Sequence, residues 1–421
     1  MESNIRKAIL VHVVSRDNKE LREEYLEEFR LLVSTLSYEI VAETTYSLRE
    51  PRYSTFLGAG KVEELKKVIK LTDAQIVFID TTLTFLQLRN LSKELEVPVI
   101  DRPHLILMIF SMRARTNEAK LQVELSRLKM RLPEIVHSEV NLDQQTGSEI
   151  GLKGPGERKT ELKRRYIERR IQILEKKLEE IKKHRFEVRK RRTKSNIPII
   201  SIVGYTNAGK STLLNALTSS DAYVEDKLFA TLDSMARLGE VKQNISAIFV
   251  DTIGFIRDLP PQLIYAFHST LEEILDSWII IHLVDISDVL FREKIDVVLS
   301  TLKELGASNI PTITVFNKID KVDSETLNYL ASIFKDAVFI SAKSGVNIDK
   351  LKEKIASMLQ ELIVRVKIIL PYKDAYLLDE IYSSSNVISR KDTEENIILY
   401  VEGYYSTLAK FKNYFAAQKT A

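Results

Sequence analysis

The 421-residue chain contains no cysteine, which excludes disulfide frameworks, cysteine-ligated zinc, iron–sulfur clusters and thiol catalysis. Long hydrophobic runs are also missing, because the longest (WIIIHLV at 278–284, LILMIF at 105–110) fall well below the ~20 residues of a membrane span. The opening MESNIRKAILVHVVSRD has neither a long apolar core nor a small-residue cleavage site. We therefore expect no signal peptide, no integral membrane segment and a cytoplasmic location.

The net charge is small but unevenly distributed. Residues 151–194 contain 18 Lys or Arg against 7 Glu, an excess of 11 positive charges, whereas the whole chain carries only +3. The remainder of the chain is therefore acidic. A basic block on an acidic protein indicates a polyanionic partner, although charge runs on long helices are also often solvated faces.

The first 110 residues alternate strand-like and helix-like segments. Predicted strands are 9–14, 40–44, 76–80 and 97–100, and predicted helices are 19–36, 60–69 and 86–95. This alternation is typical of a parallel sheet with covering helices. Residues 1–110 are therefore predicted to form an N-terminal parallel α/β domain.

Residues 111–194 predict a helical coiled-coil hairpin. Narrow apolar seams with nearly heptad spacing run along two polar stretches, at Leu121, Leu125, Leu128 and Leu132, and at Ile167, Ile171, Leu174, Leu178, Ile181 and Val188. The segment between them is rich in glycine, at Gly147, Gly151, Gly154 and Gly156. Glycine lets the backbone approach a ligand closely, so this segment is predicted to be the tip of the hairpin.

Strand–helix alternation resumes after a short linker at 195–198. Strand-like runs IISIV, AIFVD, IIIHLVD, TITVFN and VFISA predict a second α/β domain over 195–363, and 364–421 predict a small α+β domain. The predicted fold class is thus α/β, with this second α/β domain added to the N-terminal domain, helical hairpin and small C-terminal α+β domain.

One segment of the second α/β domain has the pattern of a phosphate-binding P-loop. Residues Gly204-Tyr205-Thr206-Asn207-Ala208-Gly209-Lys210-Ser211 fit G-x-x-x-x-G-K-[ST] between a predicted strand and a predicted helix. Its backbone N–H groups and the helix N-terminus can surround phosphates. We expect Lys210 to reach the β- and γ-phosphates and the Ser211 hydroxyl to ligate Mg²⁺.

Two further elements are expected to sense the γ-phosphate. Asp251-Thr252-Ile253-Gly254 ends a predicted strand about 40 residues beyond the loop, where a carboxylate can hold the Mg²⁺ shell and the Gly254 N–H can meet the phosphate. Thr231 and Thr218 are the threonines between Thr212 and Thr252, and Thr218 lies in the helix after the loop. We therefore assign Thr231 to switch I, where its hydroxyl would complete the Mg²⁺ shell.

Two loops predict recognition of guanine. In Asn317-Lys318-Ile319-Asp320, the Asp320 carboxylate can accept hydrogen bonds from guanine N1–H and N2–H₂, which adenine cannot supply. The Lys318 stem can pack over the base. In Ser341-Ala342-Lys343, the Ala342 N–H can bond guanine O6. Five ordered elements at predicted strand ends therefore indicate a site for GTP and Mg²⁺, and residues 195–363 are predicted to be a P-loop GTPase domain.

One residue departs from the Ras-like pattern. Phe255 follows Gly254, where Ras-type switches have a glutamine that orients the attacking water. Phenylalanine cannot hydrogen-bond that water. We therefore predict slow intrinsic hydrolysis that depends on a partner for stimulation.

These motifs together resemble the HflX GTPases, a branch of the translation-factor-related class. The resemblance is carried by 204–211, by the FATLD segment (Phe229, Ala230, Thr231, Leu232 and Asp233), by DTIGF at 251–255, and by 57–65, 100–133 and 151–157. It implies GTP hydrolysis coupled to binding of the large (50S) ribosomal subunit, splitting or rescue of stalled ribosomes, and a hairpin tip near the peptidyl transferase centre. Departures are Lys153, where the family often has Arg, and Ser234-Met235, where it commonly has Pro-Thr after FATLD.

Physical reasoning supports ribosomal RNA as the partner and leaves two competitors open. A strongly basic helix can lie along RNA phosphates and a glycine-rich tip can follow irregular RNA. An ATPase could instead use Gly58-Ala59-Gly60-Lys61 in the N-terminal half, although that segment is also a plain turn and helix start. Anionic membrane is the other alternative, but the apolar seam is narrow. We expect a monomer that binds no DNA.

Overall fold

The computed structural model describes residues 6–14, 22–47, 51–145, 155–193, 197–218, 235–243, 245–257 and 272–416. Within these ranges the chain forms three separate β-sheets and a pair of long helices. Helices and mainly parallel strands alternate over most of the chain, which confirms the α/β class. In the same ranges, no helix combines the length and apolar composition needed to cross a membrane.

The N-terminal sheet is fully parallel, with strand order β2-β1-β3-β4. Its strands are β1 (Lys7–Val14), β2 (Glu39–Ser47), β3 (Ile76–Ile79) and β4 (Val99–Asp101), and its helices are α1 (Arg22–Ser34), α2 (Ala59–Thr72), α3 (Phe85–Leu95) and α4 (Arg102–Arg113). Alternate residues of β1 enter two different cores, Leu10 with Phe29 and Phe78 on one face, and Ile9 with Leu65 on the other. Burial of both faces explains the continuous apolar runs of these strands.

Two long helices follow, α5 (Asn117–Gln145) and α6 (Pro155–Thr193). They pack along the predicted seam, where Leu125 contacts the cluster of Ile167, Ile171 and Leu174. Cross-helix ion pairs join Arg170 to Glu124 at 2.8 Å and Lys129 to Glu175 at 2.8 Å. The predicted tip at 146–154, including Gly147, Gly151, Lys153 and Gly154, lies outside the described residues.

The second large sheet has six strands in the order β10-β9-β8-β5-β7-β6. Its elements are β5 (Ile199–Gly204), α7 (Lys210–Thr218), β6 (Met235–Lys242), β7 (Ile245–Asp251), β8 (Ile279–Asp285), α8 (Phe291–Glu304), β9 (Thr312–Asn317), α9 (Ser324–Ile333), β10 (Val338–Phe339) and α10 (Ile348–Glu361). All five predicted strands are present and parallel. The additional edge strand β6 is antiparallel to β7 and was not predicted, because charged residues and a glycine interrupt the apolar residues of its sequence MARLGEVK.

The last part of the chain forms a three-stranded antiparallel sheet, ordered β11-β13-β12, with short helices on one side. Its elements are β11 (Ile363–Pro371), α11 (Leu378–Ser384), β12 (Asn386–Asp392), β13 (Asn396–Tyr404) and α12 (Tyr405–Leu408). Trp278, which precedes β8, packs edge-on against Tyr404 with ring centroids 4.3 Å apart. The single tryptophan therefore joins the six-stranded sheet to this sheet.

Candidate functional site

The phosphate loop connects the end of β5 to the start of α7, at the centre of the six-stranded sheet. A side chain at Gly204 would lie 2.3 Å from the Leu283 carbonyl oxygen, so only glycine fits beside β8. Gly209 has φ +95, and a Cβ there would lie 2.4 Å from the Asn317 side-chain amide. The loop therefore runs tightly into α7, whose first N–H groups have no helical partner and can bind an anion.

Lys210 is the first residue of α7 and is almost fully buried. Its Nζ donates hydrogen bonds to the carbonyl oxygens of Gly204 at 3.2 Å and Tyr205 at 2.9 Å, within its own loop. Burial lowers the pKa of Lys210 to about 8. A buried ammonium in this position is suited to an anionic ligand, because phosphate oxygens would compensate the charge.

Ser211 and Asp251 form the part of the site that fits a magnesium ion. The Ser211 hydroxyl donates to Asp251 Oδ2 at 2.6 Å, and Asp251 is fully buried at the end of β7. Next to it, the Thr252 hydroxyl donates to the Ile202 carbonyl oxygen at 2.9 Å and fixes β7 against β5. A carboxylate and a hydroxyl in contact are hard oxygen ligands of the kind that Mg²⁺ accepts alongside phosphate oxygens.

Gly254 lies directly over the phosphate loop. A Cβ at this position would be 2.9 Å from Lys210 Nζ and 2.9 Å from Thr206 Cα, so there is room for a backbone N–H but not for a side chain. The buried Thr206 Oγ1 has no hydrogen-bond partner among the described residues. Two backbone bonds hold this arrangement, Thr206 N–H to Phe255 O at 2.8 Å and Phe255 N–H to Gly204 O at 3.1 Å. A phosphate oxygen would satisfy the Thr206 hydroxyl.

The side chain of Phe255 points away from this chemistry. It is 4% exposed and belongs to a hydrophobic cluster with Val203, Ile274 and Val298. Its neighbour Ile253 is buried in the other direction, in the core that contains α4. Phe255 therefore cannot take the place of a water-orienting glutamine, as the sequence indicated.

At the end of the site predicted to bind the base, hydrogen bonds already hold the loops in place. Asn317, the last residue of β9, donates from Nδ2 to the Ala208 carbonyl at 2.8 Å and accepts at Oδ1 from the Ala342 N–H at 2.9 Å. It thus links the phosphate loop to the 341–343 loop. The Ala342 N–H, assigned to guanine O6 from the sequence, is used by Asn317 here.

Asp320 and Lys318 occupy the positions expected for base recognition. Asp320 is exposed, and its Oδ1 accepts a hydrogen bond from the Ser341 hydroxyl at 2.5 Å. That bond, with nearby cations, lowers the pKa of Asp320, so the carboxylate is charged. Lys318 adopts φ 65, with its Nζ 2.7 Å from Asp285. Ile319 packs beneath the loop, and Lys343 is exposed.

The structure unites most of the predicted residues and leaves one group undecided. Phe229, Ala230, Thr231, Leu232 and Asp233, including the predicted switch I magnesium ligand, lie outside the described residues. The alternative N-terminal phosphate site gains no support. Gly58 is the N-cap of α2, a Cβ at Gly58 or Gly60 would meet nothing within 4 Å, and Lys61 donates to the Ser47 carbonyl.

Sequence reasoning missed a charged cluster beside the phosphate loop. Glu28 on α1 and Asp80 after β3 both form ion pairs with Arg102 at the start of α4, and Glu28 also accepts a hydrogen bond from Tyr205. Asp80 and Arg102 follow adjacent parallel strands, whose C-terminal ends meet at one edge of the sheet. That placement was the clue available in the sequence.

Three features of the structure define a P-loop GTPase, which binds GTP and hydrolyses it. They are the doubly wound sheet, the phosphate loop with its buried lysine, and the base loops that Asn317 joins by hydrogen bonds. Comparisons with known proteins agree. Residues 23–111 match the family described as GTP-binding GTPase N-terminal, 113–192 the GTP-binding GTPase Middle Region, and 199–318 the 50S ribosome-binding GTPase family.

Curated relatives extend the match over nearly the whole chain. GTPase HflX of Caldanaerobacter subterraneus is 41% identical over 408 residues, which cover 97% of this chain and 93% of the relative. GTPase HflX of Escherichia coli K12 is 38% identical over 382 residues, covering 89% of this chain and 88% of the relative. The chain belongs to the GTPase HflX family, as its motifs suggested.

Proposed function

We propose that this GTPase is a cytoplasmic, monomeric factor that binds the 50S ribosomal subunit in its GTP·Mg²⁺ form and splits or rescues stalled ribosomes. Segment 195–363 acts as the nucleotide switch and segment 111–194 as the RNA-binding arm, and segments 1–110 and 364–421 act as supporting domains. The observation that carries the proposal is the attachment of a basic helical arm to the domain that packs directly on the GTP site.

At the nucleotide, the residues of the phosphate loop, the end of β7 and the loop after β9 support the proposal. Lys210 would hold the β- and γ-phosphates, Ser211 and the Asp251 shell would hold Mg²⁺, and Asp320 would select guanine. When bound there, the ion would supply positive charge that stabilises the phosphates during hydrolysis. Thr231 is proposed as the further Mg²⁺ ligand. The N–H of Gly254 would meet the γ-phosphate, so this segment responds to hydrolysis.

The arm presents a surface suited to RNA. Between 161 and 184 of α6, seven cations are exposed: Lys163, Arg165, Arg169, Lys176, Lys177, Lys182 and Lys183. Tyr166 is 71% exposed among them. Exposed cations bind phosphates and an exposed aromatic ring can stack on an unpaired base. This combination favours RNA over the alternative of a merely solvated face.

A continuous path of packed residues joins the GTP site to the arm. Leu105, Ile106, Ile109 and Phe110 of α4 share one core with Ile253 and Ile256, which flank Gly254. α4 leads directly into α5 through residues 114–116, and Val123 of α5 belongs to the same core. A shift of the 253–256 segment with the γ-phosphate would therefore bias the pose of the arm.

The proposal is tested by co-sedimentation with purified 50S subunits. Changing Lys163, Arg169, Lys176 and Lys177 together to Gln should weaken 50S binding at least tenfold and lower its dependence on salt, because four phosphate contacts are lost. Hydrolysis of GTP without ribosomes should stay unchanged. Binding should also be stronger with a non-hydrolysable GTP analogue than with GDP.

The matched control removes the same number of exposed cations from the nucleotide domain: Lys303, Lys335, Lys350 and Lys354, all to Gln. Its 50S binding should equal that of the unchanged protein. Equal loss in both quadruple variants would mean that net charge alone governs binding. Binding that ignores the nucleotide would refute the switch, and a sucrose-gradient assay of 70S dissociation tests the splitting activity.

A further inference from the structure

The charged cluster between the N-terminal sheet and the GTP site contains a largely buried ion network. Arg102 is 2% exposed, and its guanidinium contacts Asp80 at 2.7 Å and also Glu28. Burial disfavours charge on Glu28, but Arg102 and Tyr205 outweigh it and lower the pKa of Glu28. Glu28 is therefore charged, and its carboxylate and that of Asp80 both contact the one guanidinium of Arg102.

The network continues into both loops that face the nucleotide phosphates. Tyr205, the second residue of the phosphate loop, donates its hydroxyl to Glu28 at 2.6 Å and accepts the backbone N–H of Arg257 at 2.7 Å. Arg102 donates to the Arg257 carbonyl oxygen at 3.3 Å. The N-terminal domain thus contacts the phosphate loop at Tyr205 and the segment after Gly254 at Arg257.

The side chain of Arg257 reaches across the same boundary. Its guanidinium lies 3.9 Å from the ring centre of Tyr25 on α1, and its Nη2 lies 3.9 Å from Asp80. Because Arg257 is only three residues beyond Gly254, any displacement of Gly254 must be taken up within three residues or move this anchor. Two backbone bonds between 204–206 and Phe255 leave little slack there.

Domain adhesion alone does not require these charges. The apolar core of α4 with Ile253, Ile256 and Tyr205 already joins the two domains. Buried ion pairs often add little net stability relative to apolar packing, but removing one partner leaves an uncompensated charge and is strongly destabilising. They therefore act chiefly by permitting one relative orientation of the loops they join.

We propose that Glu28 and Arg102 are positioning residues of the GTP site supplied by the N-terminal domain, which hold Tyr205 and Arg257 so that Gly254 meets the γ-phosphate. Neither residue touches the nucleotide; each acts through the loops. Binding and conformation are thermodynamically linked. If the network raises the affinity for GTP relative to GDP, then GTP stabilises this pose of the N-terminal domain relative to GDP by the same factor. The consequence for the ribosome rests on the proposed function, but the GTPase effect does not.

The decisive variant is Tyr205→Phe, which keeps the ring and removes only the hydroxyl. We expect kcat for GTP to fall at least tenfold and the preference for GTP analogue over GDP to fall several-fold, with GDP affinity changed less than twofold. Glu28→Gln should behave in the same way. The double variant should be no worse than the more severe single one, because both disrupt one network.

Two matched controls separate positioning from general stability. Tyr46→Phe removes another buried tyrosine hydroxyl, on β2, away from the boundary, and Glu27→Gln removes the exposed carboxylate adjacent to Glu28 on α1. Neither should change kcat or the GTP:GDP preference. All assays use purified full-length protein without ribosomes, so they remain informative if the ribosomal proposal fails.

Unchanged kcat and nucleotide preference in Tyr205→Phe, with only a lowered Tm, would overturn the proposal and leave the network as a structural contact. Additive losses in the double variant would overturn it as well. If Glu28→Gln does not fold, Arg102→Lys replaces it, because lysine keeps the charge but cannot bridge two carboxylates and the Arg257 carbonyl together.

Discussion

The two ends of the GTP site are prepared to different degrees. At the base end, Asn317 and Ser341 already satisfy the loops around Asp320 with short hydrogen bonds. At the phosphate end, Lys210 is buried against backbone carbonyls and the Thr206 hydroxyl finds no partner among the described residues. The comparison indicates that the loops of the base end are held in place without a ligand, whereas the phosphate end holds polar groups that a nucleotide could satisfy.

This difference between the two ends predicts that Lys210→Met stabilises the nucleotide-free protein and that Asn317→Ala destabilises it. The largest effect expected of any substitution is the loss of GTP binding in Lys210→Met. Loss of a buried cation that faces phosphates should weaken GTP binding at least ~100-fold, since breaking such a pair costs about 3–5 kcal/mol. Calorimetric titration with GTP measures this, and ribosome binding should lose its nucleotide dependence.

The same variant should be more stable than the unchanged protein when both are empty, by an amount on the order of 2 kcal/mol at pH 7. The pKa of Lys210 in the folded state is about 8, below its ordinary value of 10.5. The unfolded chain therefore binds more protons between these values, and stability of the unchanged protein rises with pH there. The advantage of methionine should shrink from pH 8 to pH 10 in urea titrations, and a constant difference would contradict the interpretation.

Asn317→Ala should destabilise the empty protein by about 2–3 kcal/mol, because a buried carbonyl at Ala208 and a buried N–H at Ala342 lose their partner. Urea denaturation followed by circular dichroism measures it. Asn90→Ala, which removes an exposed hydrogen bond from the side-chain amide to the Ser54 carbonyl, should change stability by less than ~0.5 kcal/mol. A stable empty Asn317→Ala would mean that the base end is not preorganised.

Asp320→Asn is expected to act on selectivity and hardly on stability. The amide keeps one acceptor for Ser341 but offers a donor to guanine, so GTP affinity should fall about 10–100-fold. Inosine triphosphate, which lacks the 2-amino group, should lose less. Asp323→Asn, three residues away at the N-cap of α9, should leave both affinities unchanged. Equal losses for both nucleotides would argue against a role of Asp320 toward the 2-amino group.

The sequence predicted most of this site because the chemistry of phosphate and guanine recognition imposes short local patterns. Residues 204–211, 251–254, 317–320 and 341–343 each lie at the end of a strand, so their convergence followed from the parallel sheet. Phe255 was also anticipated as a residue that cannot orient water, and its burial beside Val203 agrees.

What escaped prediction depends on contacts between distant segments. The Tyr205–Glu28 bond spans 177 positions, and no local pattern marks either residue as a partner of the other. Likewise, β6 was not predicted because charged residues and a glycine interrupt its apolar residues. As an edge strand, it buries only Gly239 and Val241. The Asn317–Ala342 bond was missed because it joins two loops 25 positions apart, and the Ala342 N–H had been assigned to guanine O6.

The lone indole of the chain offers a use beyond packing. Trp278 stands between the nucleotide-binding sheet and the C-terminal sheet, edge-on to Tyr404, and its backbone N–H bonds Ile199 at the start of the strand that leads into the phosphate loop. Its fluorescence is therefore a native optical reporter of that junction. Any loosening of the junction on nucleotide exchange should appear in the emission of an unlabelled protein.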